Sequence, residues 1–138
     1  MRVAPVELEY VNATWPMVEQ YIDAALNTEA AGTPTMTIEH MRVMVVTGQF
    51  LLCVAVDDDN KIHGACTISF YNEPLHRIAF VNAIGGKLIC NRNTMEQFKA
   101  ILRIKGATMV KAYGRPSIVR LWRRYNFTPT YTLLELPL

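Results

Sequence analysis

Ten of the fourteen lysines and arginines of this 138-residue chain fall after residue 86, beside only two acids. Residues 1–86 carry a net charge of −6 and residues 87–138 a net +8. Such an asymmetry suits solvated helix faces, a phosphate-bearing ligand, nucleic acid or an acidic protein partner. Where the sign changes stands Gly85-Gly86-Lys87, followed by Arg92, Asn93 and Thr94 at the expected start of a helix. Glycines let a backbone approach a ligand, and the free N–H groups and dipole of a helix start favour anions. Lys87, Arg92, Asn93 and Thr94 are therefore the candidate anion-binding residues. The G-x-x-x-x-G-K-[ST] spacing is absent, so this is not a Walker loop.

Other chemistries find less support. Neither serine, Ser69 or Ser117, lies in G-x-S-x-G, which excludes a hydrolase elbow. The three histidines and three cysteines lack zinc spacing, and no metal is expected. Cys53, Cys66 and Cys90 form no C-x-x-C and leave one unpaired, which predicts reduced thiols in a cytoplasm. Asp57-Asp58-Asp59 lacks the Gly and closing Glu of an EF-hand and reads as a turn. The arginines of Ser117–Arg124 can touch phosphates, but no helix-turn-helix or RNP signature accompanies them, so any nucleic-acid contact is expected to be non-specific.

The elements that must position these residues follow from pattern. With 51% hydrophobic and 19% charged residues, the chain is expected to be one packed domain over 1–138. The longest apolar run, Phe50–Val56, is too short to cross a membrane, and no signal peptide is read at the start. Pro5–Val11 alternates as a strand, and Thr14 caps a first helix that frays near Asn27 and ends before Gly32-Thr33-Pro34. Thr37 caps a second helix that Gly48 closes. Phe50–Val56, Lys61–Tyr71 and Arg77–Ile84 make an antiparallel meander. Thr94-Met95-Glu96-Gln97 reads as the capping box of a third helix, stopped by Gly106. Ala107–Tyr113 is a strand reached by a right-handed parallel crossover. After Gly114-Arg115-Pro116-Ser117, residues Ile118, Leu121, Trp122 and Tyr125 form a helical stripe, and Asn126 supplies a left-handed stop. Phe127–Leu136 reads as a last strand, at an edge or bulge because of Pro129. The expectation is an α/β (mixed α+β) fold: a central mixed sheet of about six strands with four helices on both faces.

This element order resembles that of the GNAT superfamily of acetyl-CoA-dependent N-acetyltransferases over essentially the whole chain. Its members often close with N-x-x-A-x-x-L-Y-x-x-x-G-F; the matching positions here are Arg115, Ile118, Leu121, Trp122, Asn126 and Phe127, of which Leu121 and Phe127 are kept. The resemblance implies acetyl-CoA as ligand, held by Lys87, Arg92, Asn93, Thr94 and Arg115. The family's R/Q-x-x-G-x-G/A loop is not matched in spacing. Its usual general acid, a tyrosine of the last helix, aligns with Trp122, whose indole cannot deliver a proton. Tyr113 and Tyr125 are the possible substitutes, although Tyr125 lies on the apolar stripe as a core residue does. Glu73, in a turn with His76, is the candidate base for an acceptor amine. Two readings follow: an atypical acyl-CoA-dependent N-acetyltransferase, or a catalytically inactive GNAT-like binding or assembly module. The size and layout of the second are similar to accessory or virion-associated proteins of tailed phages, which would place it in an infected host or a virion.

Overall fold

The computed structural model describes residues 1–27, 35–114 and 116–138. Its elements run β1 (Arg2–Pro5), α1 (Leu8–Leu26), α2 (Ile38–Val46), β2 (Leu51–Val56), β3 (Ile62–Asn72), β4 (Arg77–Gly86), α3 (Arg92–Ile104), β5 (Met109–Lys111) and α4 (Pro116–Arg123). The expected Gly32–Pro34 break and Arg115 lie outside the described residues.

The strands form one sheet in the order β1-β2-β3-β4-β5. The meander is antiparallel, and β5 lies parallel to β4 as the crossover predicted. One face carries α1 and α2 over Leu52, Val54, Val56, Ala65 and Ala83. The other carries α3 over Cys53, Cys66, Ile68, Ala79 and Val81. This odd–even division along β2 is why its run is apolar throughout: a strand covered on both faces buries every side chain. Cys53 and Cys66 sit directly opposite each other and fully buried. All three cysteines are free, and burial pushes the Cys66 thiol well above its ordinary value.

Several expectations are corrected. The first strand is Arg2–Pro5, not Pro5–Val11, and α1 starts at Leu8 rather than after Thr14. Val11, Trp15, Val18 and Ile22 recur at helical spacing and are all buried, so that face determines the helix. Pro16 is accommodated inside the helix. The third helix is capped by Asn91, not Thr94: Asn91 Oδ1 accepts from the Thr94 N–H at 2.9 Å, and Thr94 Oγ1 accepts from the Asn91 N–H at 3.1 Å. Gln97, assigned to that cap from sequence, instead accepts the Val3 N–H at 2.9 Å and ties α3 to β1. Finally, Phe127–Leu136 is not a strand, so the sheet has five strands rather than about six. Pro129, inside the segment, removes a ladder donor, and Pro137 follows directly after it.

Other local signals hold. Thr37 caps α2, and Gly48, Gly106 and Asn126 have φ of 79°, 85° and 69°. At the end of α4, the Phe127 N–H donates to the Trp122 carbonyl and the two rings meet edge to face at 4.7 Å. Among the described residues no helix is long and apolar enough to cross a membrane.

Candidate functional site

Among the described residues the ladder of the parallel pair β4–β5 consists of Ile78–Met109, Ala79–Val110 and Phe80–Lys111. Beyond these, β4 continues to Gly86 while β5 ends at Lys111. Two residues past the last shared pair, β4 contains an extra residue. Thr67 pairs with Ala83 and Ile68 with Val81, leaving Asn82 unmatched. A bulge bends a strand and raises its twist. β5 has ended by this point, and among the described residues the outer backbone edge of β4 from Val81 onward has no strand partner. The result is a wedge, open at the end where α3 begins.

Side chains around the wedge come from β3, β4 and the end of β5. Asn82 Oδ1 accepts from Ser69 Oγ at 3.4 Å, and its Nδ2 donates to the Phe80 carbonyl at 3.4 Å. Thr67, two residues before Ser69 on the same face, is fully buried with its hydroxyl unpartnered; so is the Trp15 indole N–H of α1. The Tyr113 ring meets Phe80 edge-on at 5.0 Å, and the residue is 71% exposed. Lys111 Nζ pairs with Glu73 Oε1 at 2.7 Å, and this bond raises the Lys111 pKa above its ordinary value. Tyr113 and Glu73 are thus both tied to the end of β5. Tyr125 is not: it packs against the core on the α3 face.

The loop from β4 to α3 is built differently from an open glycine cradle. A Cβ on Gly85 would lie 2.1 Å from the Tyr21 carbonyl oxygen of α1. One on Gly86, at φ 68°, would lie 2.4 Å from the His63 carbonyl. These glycines allow α1 and β3 to close on the loop. His63 is itself a bulge residue, unmatched between the Ala55–Gly64 and Val56–Ile62 pairs. Its ring meets Asp57 at 2.7 Å, and its carbonyl accepts the Lys87 N–H at 2.9 Å. That ring, first among several hydrogen bonds, holds the Asp57 carboxyl below the usual range. Farther along, buried Thr94 accepts from the N–H groups of both Cys90 and Asn91, at 2.9 and 3.1 Å. Three amides near the helix start are therefore satisfied internally. The N–H groups of Arg92 and Asn93, first in α3, have no intrahelical acceptor and stay available, beside the exposed side chains of Lys87 and Arg92.

Two grooves lie away from the wedge. One of about 500 Å³ borders Arg123 and residues 126–129; another of about 340 Å³ lies between the starts of α1 and β2 and the end of α2. Neither is lined by Tyr113, Lys87 or Arg92. No cluster of metal-ligating side chains occurs among the described residues.

No protein-family model matches the chain, and neither does any curated protein. Solved structures do. One described as a probable acetyltransferase superposes with a TM-score of 0.70 at 14% identity, covering 100% of this chain and 98% of its own. An aminoglycoside acetyltransferase from an uncultured soil metagenomic sample gives 0.68 at 12% identity, over 99% and 94%. A ribosomal-protein-alanine N-acetyltransferase from Brucella melitensis gives 0.68 at 11% identity, over 100% of both chains. The fold is that of the GNAT-like acetyltransferases. At these identities the likeness is one of fold, and the chemistry rests on the residues of this chain.

Sequence reasoning overlooked Asn82, Ser69 and Thr67. The available signal was Asn82 itself, a β-disfavoured polar residue inside the apolar run Ile78–Ile84.

Proposed function

We propose that the chain is a GNAT-fold N-acetyltransferase that takes acetyl-CoA and passes the acetyl group directly to an amine. The observation carrying this reading is the three-pair contact between β4 and β5 with the Asn82 bulge two residues beyond it, which leaves a backbone edge open. An extended amide-bearing arm, such as that of a coenzyme A thioester, can hydrogen-bond to such an edge as an added strand does. The Arg92 and Asn93 amides, with Lys87 and Arg92, supply positive potential for phosphates at the wedge's open end.

In the transfer, the acceptor nitrogen attacks the thioester carbonyl carbon. A β4 backbone N–H polarises the carbonyl oxygen as it gains charge. Collapse breaks the C–S bond, and Tyr113, whose ring sits on Phe80 with most of its surface exposed, gives the leaving thiolate its proton. Glu73 is the carboxylate held at this end of β5 to receive the proton the amine loses. Its bond to Lys111 orients it.

A second reading has its own support. The self-capped start of α3 and the indole at Trp122 fit a GNAT-shaped binding or assembly module without catalysis, such as a phage accessory or virion-associated protein. Calorimetric titration with acetyl-CoA separates the two. Micromolar binding, weakened at least tenfold by Lys87→Glu with Arg92→Glu, is the expected result. No binding at millimolar ligand overturns the transferase and leaves the module.

A further inference from the structure

We propose that the acceptor is a monoamine whose primary amine sits on a short spacer from an aromatic ring, and that Tyr71 and Met109 select it. This rests on the transferase reading above and names the substrate class of the same site. Strand register sets out the face concerned. Tyr71, Ile78 and Met109 form one rung across β3, β4 and β5, and Ser69, Phe80 and Lys111 form the next. Asn82 follows at the bulge, and the Tyr113 ring reaches back onto Phe80. The alternate residues Phe70, Ala79, Val81 and Val110 pack on the opposite face, with α3. α1 and α2 cover the rungs' own face farther back, over Ala65 and Ala83. Ahead of that cover, Tyr71, Met109 and Tyr113 are exposed.

Charge on this face favours a single ammonium group. No acid stands on these rungs, and the carboxylate that reaches them, Glu73, is bonded to Lys111 at 2.7 Å. A polyamine or aminosugar would bring further positive charges beside Lys111, and that repulsion discriminates against it. The lining also favours a flat apolar group. The rings of Tyr71, Phe80 and Tyr113 and the Met109 thioether are partners for an aromatic ring, and ring faces also attract a cation. Ser69 Oγ and Asn82 Oδ1, bonded to each other at 3.4 Å, each keep an acceptor lone pair for an amine N–H. Same-face residues along a strand lie about 6.8 Å apart. An amine held at Ser69–Asn82, next to the open edge of β4, therefore sets a ring on a two-carbon spacer over Phe80, abutting Tyr71 and Met109. The N–C bond forms there as the C–S bond breaks, with the amine proton passing to Glu73 and the thiolate taking one from Tyr113, as in the transfer above.

Acetyl transfer from acetyl-CoA to phenethylamine, propylamine and spermidine, catalysed by the full chain, tests this. The expected result is a kcat/KM for phenethylamine at least tenfold above that for either of the others. Tyr71→Ala with Met109→Ala lowers it at least tenfold, chiefly through KM. The same double variant changes kcat/KM for propylamine, which is too short to reach the first rung, by less than twofold; a merely structural loss would lower both alike. A preference for spermidine or propylamine, or equal losses on phenethylamine and propylamine, overturns the acceptor class and leaves the transferase standing. If no amine is acetylated, the transferase reading fails, and phenethylamine binding by calorimetry decides the acceptor site by itself. Binding to the parent that weakens at least tenfold in the double variant supports the site; no binding, or binding indifferent to the substitutions, overturns it.

Discussion

Replacing Gly85 with alanine tests how α1 seats on the sheet. The added methyl would stand 2.1, 2.8 and 3.2 Å from the carbonyl oxygen, carbonyl carbon and Cα of Tyr21. All three are main-chain atoms of a helix that is fastened here by the Tyr21 hydroxyl, which donates to the Ile62 carbonyl at 3.1 Å. No rotamer change relieves the contact; α1 must move outward by about 1 Å before atoms reach normal separation. Overpacking of a tight interior costs about 1–3 kcal/mol, and rigid neighbours place this case near 3 kcal/mol. Unfolding entropy of about 2.1 cal/mol/K per residue then converts that into a fall in melting temperature of roughly 10 °C. Gly106→Ala is the matched control. Its nearest neighbour, Arg77 Cδ, is 3.5 Å away, but its φ is 85°. The left-handed backbone alone costs about 1–2 kcal/mol, so its melting temperature falls by about half as much. Differential scanning calorimetry reads both. A Gly85→Ala shift below about 3 °C, or one smaller than that of Gly106→Ala, refutes the close seating of α1 on β4.

Two further substitutions address the loop from β4 to α3 and the residues packed beside it. Thr94→Val keeps the shape of a buried side chain but strips the acceptor from two backbone amides, and is expected to destabilise by about 2 kcal/mol in urea titration; an unchanged midpoint would show that the loop is held by other means. Asp57 has a folded pKa below its unfolded value, so its contribution is present above the unfolded value and is lost as pH falls through the folded one. Asp57→Asn should therefore flatten the decline of melting temperature below about pH 4 and leave neutral pH less affected in slope; an identical acid limb in both proteins removes His63–Asp57 from the account.

What could be read from the sequence was set by local chemistry. Turn glycines, the Asn126 stop and the Thr37 cap act within a few residues, and each sits as expected. The meander and the parallel crossover were legible because alternation and connection length constrain pairing. The cap of α3 was misplaced since Asn91 and Thr94 are both good caps, and sequence does not say which partner each side chain chooses. The roles of Gly85 and Gly86 were hidden for a different reason: the atoms that demand glycine belong to Tyr21 and His63, more than twenty residues away in each case. The last strand failed because pattern describes a segment's suitability for pairing without supplying the partner. Asn82 could be seen as an oddity, but only the register of β3 against β4 reveals that it is the residue left over.

The attachment of β5 has a mechanical consequence. Its fastening is concentrated at its first turn: Thr108 donates its N–H to the Arg77 carbonyl at 2.9 Å and accepts the Arg77 N–H on its hydroxyl at 3.0 Å, with His76 on the same oxygen at 3.1 Å. Past that clasp only three rungs remain before the strand runs free. Local opening takes the route of fewest contacts. The β4–β5 edge is therefore expected to open before the four antiparallel strands do, hinging at Thr108 and giving up the Lys111–Glu73 pair and the Tyr113–Phe80 contact as it goes.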